Sequence, residues 1–307
     1  MAAVRRLVWL VLIALLLGEI VAELLTSSGS PLNDFFSTWV HVGLLFAAGA
    51  VCLGRGVTQG RRGRAWVAFG LALTSFGVGE AISTFVYPNS IPLPSIADIF
   101  WLLWYPFAIA GLALLVLDRV ARFEFHRWID GVAIVLLVAI PGVSLVLEPA
   151  ANESVQRGLG EVINFAYPLA DLLLIGAVVG VLPLTAWRPG WVWILLGQGL
   201  LLMAVADAAY SVQVAARAYT GGVYDFLWSG GALLIAYAAW QPSVPPVEPP
   251  RVLGWRVIAL PVAAQVVAVV IQIYAYFHHI PESERLLTAA VLVLAIVQIV
   301  ITRPRAA

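Results

Sequence analysis

Two short stretches pair an acid with a tryptophan three residues on: Asp98-Ile99-Phe100-Trp101 and Asp225-Phe226-Leu227-Trp228. Further acids and phenols accompany them. Asn164, Tyr167, Pro168 and Asp171 fall at i, i+3, i+4 and i+7, on one face of a helix. Asp98, Trp101 and Tyr105 share a face in the same way, as do Asp207, Tyr210 and Ser211. Proline has no N–H, so Pro168 frees the carbonyl of Asn164 and Pro106 that of Leu102. In a bilayer such carbonyls are satisfied by neighbouring side chains or water, which suits a polar cavity. Buried carboxyls and phenols hold protons or a small cation, and indoles beside them suit an organic cation. The candidate ligand- or proton-binding residues are Glu80, Asp98, Trp101, Asn164, Tyr167, Asp171, Asp207, Tyr210, Asp225 and Trp228.

Catalytic and metal-binding patterns are missing from the sequence. His278-His279 with Glu282 and Glu284 lacks the HEXXH spacing, and Pro281 interrupts any helix between them. Gly221–Phe226 reads GGVYDF, one residue longer than the GGDEF signature of diguanylate cyclases, and falls outside the membrane, away from nucleotide. No P-loop, GxGxxG or GxSxG elbow occurs. Cys52 is the single cysteine, which rules out an internal disulfide framework and a cysteine-based metal site. The expectation is a protein with no catalytic residues, no cofactor and no metal.

The elements that carry these residues are written in the composition. Of 307 residues 62% are hydrophobic and 11% charged, with mean hydropathy +0.96. A water-soluble domain carries about a quarter charged residues, so this chain belongs in a bilayer. Ten apolar runs of spanning length are predicted, at 7–25, 37–54, 65–86, 97–117, 128–147, 162–185, 191–213, 224–241, 255–276 and 286–302. All seventeen basic residues are arginine, and with the N-terminus inside fourteen lie on the inner side against three outside. That asymmetry predicts a plasma-membrane protein with both termini cytoplasmic. Glu19 and Glu23 occupy the place where a signal peptide needs a small-residue cleavage site, so the first run is read as a retained span. Pro242–Pro250 is a polyproline-type linker on the cytoplasmic side.

The two acid–tryptophan pairs are 127 residues apart, and the same offset carries Glu80 onto Asp207, Trp66 onto Trp193 and Gly70 onto Gly197. Aligned without gaps, 61–101 and 188–228 share nine identities, and Asp34 falls on Glu161. This reads as a duplication of a four-helix unit. The fold class expected is therefore an all-α polytopic bundle of about ten spans. Residues 1–118 form the first membrane repeat, 119–242 the second, and 243–307 a linker with two more spans. Four spans per unit makes the repeats parallel, related about the membrane normal.

On this topology the buried acids gather in the outer half of the membrane: Glu19, Glu23, Glu80, Asp98, Asp171, Asp207 and Asp225, with His41 in the second span. No arginine lies deep enough to neutralise them. They must be protonated, hydrogen-bonded to neutral groups, or occupied by a cation. The bland alternative is that protonated acids only join helices together.

Pro94–Pro106 (PSIADIFWLLWYP), Tyr167–Asp171 (YPLAD) and segments of Ala206–Pro242 (ADAAYSVQ, YDFLW, AAWQP) together resemble the N-terminal multispan sensor region of actinobacterial cyclic-di-GMP signalling proteins. There it precedes GGDEF and EAL domains. The resemblance covers about 60–242 and implies an input module, either the membrane part of a longer protein or a stand-alone relative. A membrane sensor with an outward-facing polar site is the reading expected, with a parallel-repeat transporter or proton-coupled permease as the alternative. Transport calls for polar groups through the full depth of the membrane, whereas here they keep to one side. The expected partners are the lipid bilayer, a small ligand, cation or proton from the extracytoplasmic side, and in a homodimer a second copy; nucleic acid is not expected.

Overall fold

The structure, a computed structural model, describes residues 2–88, 90–119, 159–184, 190–215, 224–242, 255–277, 285–286, 288–294 and 296. These are helical apart from short connections, and no strand occurs among the described residues. In chain order come α1 (Ala2–Leu25), α2 (Pro31–Asp34), a π-helical segment (Phe35–Val40), α3 (His41–Gln59), a 3-10 turn (Gly60–Gly63), α4 (Arg64–Val86) and α5 (Ile96–Arg119). After them come α6 (Leu159–Leu184), α7 (Trp191–Ala215), α8 (Phe226–Ala239) and α9 (Trp255–Phe277). Most bounds lie within a few residues of the predicted apolar runs. The second run starts earlier than its hydropathy suggests, because Ser30 caps a helix at Pro31: its hydroxyl accepts the Asn33 N–H at 3.3 Å. The predicted run at 128–147 and the cluster His278, His279, Glu282 and Glu284 lie outside the described residues.

Among the described residues four helical stretches are long and apolar enough to cross a membrane: Ala3–Leu25, Pro31–Val86, Ile96–Asp118 and Trp191–Tyr210. The second is two helices, α3 and α4, folded back on each other at Gly60–Gly63. Gly60 adopts φ +58°, which a residue with a side chain takes up only at a cost. The outside of these helices is apolar, with Leu7, Leu10, Leu71 and Leu201 among many exposed large side chains. That is the surface of a helical membrane protein, which meets acyl chains where a soluble protein meets water.

Six helices close into a ring. α3 packs on α4, α4 on α5, α5 on α6, α6 on α7, α7 on α8, and α8 returns to α3. α1 lies in the seam between α3 and α8, and α9 leans on α6. The helices are polarised along their length. α1 carries Arg5 and Arg6 at one end and Glu19 and Glu23 towards the other; α3 has His41 and Arg55 at opposite ends; α4 runs from Arg64 to Glu80. Between these two ends the ring is filled by Phe69, Leu73, Leu112, Leu196, Leu200 and Ile235, all buried.

Candidate functional site

The polar layer lies at the end of the ring remote from Arg5, Arg55 and Arg64. At its centre Tyr105 of α5 stands between two acids: its hydroxyl is 3.0 Å from Oδ1 of Asp171 on α6 and 3.4 Å from Oδ2 of Asp207 on α7. Asp171 and Asp207 thus share the Tyr105 hydroxyl. Asp207 is held from the other side by Trp228 of α8, whose Nε1 donates at 2.7 Å. The Trp228 ring lies edge-on to Tyr210 at 6.1 Å and to His41 at 6.3 Å.

Asp98 opens α5. Ser95 precedes the helix and the two form a reciprocal cap: Asp98 Oδ2 accepts from the Ser95 N–H at 2.6 Å and its hydroxyl at 2.9 Å, while Ser95 Oγ lies 3.3 Å from the Asp98 N–H. Its other oxygen accepts from Tyr167 of α6 at 2.7 Å, so the carboxyl also ties α5 to α6. Asp98, only 4% exposed, borders a cavity of about 360 Å³ whose walls are otherwise largely apolar, among them Tyr87, Ile99, Leu102 and Ile163.

A second group converges where α1 meets the ring. Glu19 Oε1 is 2.7 Å from Nδ1 of His41 and accepts the Ser229 hydroxyl at 3.0 Å. Ser229 Oγ is also 3.0 Å from the same ring nitrogen. Serine and acid thus meet one nitrogen, so the trio is not laid out as a nucleophile with its general base, which needs the two ring nitrogens facing opposite partners. On its far side His41 Nε2 is 4.0 Å from Oε2 of Glu80 on α4. One turn beyond Glu19, Glu23 Oε2 accepts the Phe226 N–H at 3.2 Å. A carboxyl from α1 thereby caps the start of α8, where unpaired N–H groups favour negative charge. Asp225, at the N-cap position of α8, does not cap with its own side chain and is half-buried. Glu19 and Glu23 each keep one oxygen buried with no hydrogen-bond partner.

Of the residues singled out by spacing, Tyr167 bonds Asp98 and Trp228 bonds Asp207, while Tyr105 links Asp171 to Asp207; Tyr210 packs on Trp228, and Glu80 faces His41. Trp101 lies over Gly79, its buried Nε1 without a hydrogen bond. The side chain of Asn164 lies outside those described. The spacing misses Glu19, His41 and Ser229 as site members, since their contacts span 22 to 210 residues of chain. The capping pattern Ser95-x-x-Asp98 is a local signal that does give Asp98 its partner.

Among the described residues, seven carboxyls and one imidazole occupy this layer with no arginine ion-paired to them. A layer this poor in water cannot carry seven negative charges, so protons, neutral donors or a cation must offset them. Among the described residues no three His, Cys, Asp or Glu side chains are placed to hold a metal ion. The chain matches no protein-family model, no curated protein and no solved structure.

Proposed function

We propose that the chain is an integral membrane sensory or input module whose carboxyl layer responds to protons or a small cation from the extracytoplasmic side, coupled to cytoplasmic cyclic-di-GMP signalling in a longer protein. One observation carries the reading: every helix of the ring, with α1, contributes a polar group to one buried layer, and an apolar plug fills the ring between that layer and the arginine end. An opening on one side only is what a sensor needs, whereas a transporter must reach both sides. The unpartnered oxygens of Glu19 and Glu23 leave acceptors for the occupant. The signalling partner rests on the resemblance of Pro94–Pro106, Tyr167–Asp171 and Ala206–Pro242.

In this proposal the chain has ten spans, with both termini and the arginine end cytoplasmic, and residues 1–118 and 119–242 are parallel repeats. The ring supports the repeat. The 127-residue offset carries α3 onto α6, α4 onto α7 and α5 onto α8, and the ring order α3 to α8 is unchanged by that exchange.

The test uses oriented proteoliposomes. Orientation is read by impermeant maleimide on Ser90→Cys or Arg62→Cys in a Cys52→Ala background; both positions are exposed. In right-side-out vesicles position 90 should label and position 62 should not. An external pH step should then alter the infrared carboxyl band, and Asp207→Asn should remove that change while the protein stays folded. Equal response to steps on either side favours the transporter. No response at all, with Asp207→Asn like wild type and Asp207→Leu unfolded, reduces the acids to structural links between helices.

A further inference from the structure

At the end of the bundle opposite the carboxyl layer, two guanidiniums from different helices converge on one indole. Cζ of Arg5 on α1 lies 5.8 Å from the Trp240 ring centroid, and Cζ of Arg55 on α3 lies 5.1 Å from it. Arg55 is anchored there. Its Nε donates at 3.0 Å to the carbonyl of Ala239, the last residue of α8, where helical carbonyls lack partners of their own. Gln59, with its amide oxygen turned toward Arg55, accepts from Nη2 at 2.7 Å and Nε at 3.1 Å. All of these acceptors are neutral. Among the described residues the ion pairs belong to His41, and none involves an arginine. Arg6, Arg61, Arg62 and Arg64 stand exposed at the same end and add positive charge.

Two like charges brought to one ring repel, and a bound anion offsets that repulsion. A guanidinium presents its donors as a planar fork that fits phosphate, so the anion best matched has the chemistry of a phosphate ester. What lies alongside decides its source. Next to Arg5, α1 turns Val4, Leu7, Leu10 and Val11 outward, each between 48% and 65% exposed. A soluble phosphate leaves that surface bare, whereas acyl chains cover it. Tryptophan at such a position is the usual interface anchor. We propose that Arg5, Arg55 and Trp240 form a binding site for the phosphate headgroup of an anionic phospholipid, its acyl chains lying along α1. The proposal needs only that the chain resides in a bilayer. It stands apart from the sensing role of the carboxyl layer.

Purified protein in neutral detergent is titrated with mixed micelles of phosphatidylglycerol or phosphatidylcholine, with lipid retention read by native mass spectrometry and stability by thermal unfolding. Phosphatidylglycerol should be retained and should raise the melting temperature; phosphatidylcholine should do neither. A basic residue at an anionic surface adds about fivefold to affinity, so Arg5→Gln should weaken retention roughly fivefold and Arg5→Gln/Arg55→Gln roughly thirtyfold. Arg61→Gln/Arg62→Gln, which removes two charges but leaves the indole clamp intact, should weaken retention less than Arg5→Gln/Arg55→Gln does. If the double variant does not fold, Arg5→Gln decides, because Arg5 is exposed and lies over the Trp240 ring. Equal retention of the two lipids overturns the proposal, as does wild-type retention in Arg5→Gln. Stabilisation by inorganic phosphate with the same dependence on Arg5 overturns the lipid assignment and makes the ligand a soluble phosphate.

Discussion

Trp101 and Trp228 stand three residues after an aspartate at the start of α5 and of α8, yet only Trp228 makes a hydrogen bond through its indole. The neighbouring helix explains the difference. Facing Trp101 is Gly79, and a Cβ built there would sit 2.5 Å from Cδ1 and 2.6 Å from Nε1 of the ring. The indole therefore occupies the room that a side chain would take, and its N–H is pressed against backbone. The position 127 residues later is Ala206, which is buried and does carry a Cβ. There Nε1 of Trp228 donates to Asp207 at 2.7 Å. Glu80, a methylene longer than Asp207, faces His41 instead at 4.0 Å. The same acid–tryptophan spacing is thus a closed, hydrogen-bonded pair on one side of the ring and an open one on the other.

The sharpest way to break this contrast is at His41. Replacing it with leucine leaves the wholly buried Glu19 without its closest partner. Stripping one member from a buried pair costs about 3–5 kcal/mol, so His41→Leu should lower the melting temperature in detergent the most. Adding Glu19→Gln should recover part of that loss. Next comes the tryptophan comparison. Trp228→Phe removes the Asp207 donor and should cost about 1–3 kcal/mol, whereas Trp101→Phe removes an N–H that has no acceptor and should cost well under that. Equal melting-temperature losses in the two variants would count against the closed-and-open distinction. The most specific effect is at the glycine itself. Gly79→Ala should cost about 1–3 kcal/mol by overpacking, and Trp101→Phe should not relieve it, because the ring, not its N–H, fills the space. Trp101→Leu should relieve it, and a thermal-melt double-mutant cycle measures the coupling.

Much of the fold is legible in the sequence because a bilayer demands long apolar stretches and leaves few ways to read them. Helix ends such as Arg64–Val86 follow directly from the hydropathy. Parts of the site are legible too. Helical spacing puts Tyr167 and Asp171 on one face of α6, and both bond to residues on neighbouring helices. What the spacing cannot convey is which helices become neighbours. The Glu19–His41–Ser229 group forms only because α1 drops into the seam between α3 and α8, and hydropathy is silent on that choice. Tyr105 reads as one more residue on the face of Asp98, yet its hydroxyl turns to Asp171 and Asp207 across the ring. Whether an acid sits at the mouth of a cavity is also a tertiary fact. Asp98 is spent on a cap and on Tyr167, so it holds helices together as much as it faces any occupant.

The π-helical segment Phe35–Val40 ends immediately before His41. A π turn bonds i to i+5 and so holds one residue more than the α turn it interrupts. The segment therefore acts as a phase shifter. Removing a single residue from it restores α geometry and swings everything beyond by about 100° relative to what precedes it. His41 would then leave the azimuth of Glu19 and Ser229. Substitutions along this stretch leave that bearing intact, while a change in its length does not.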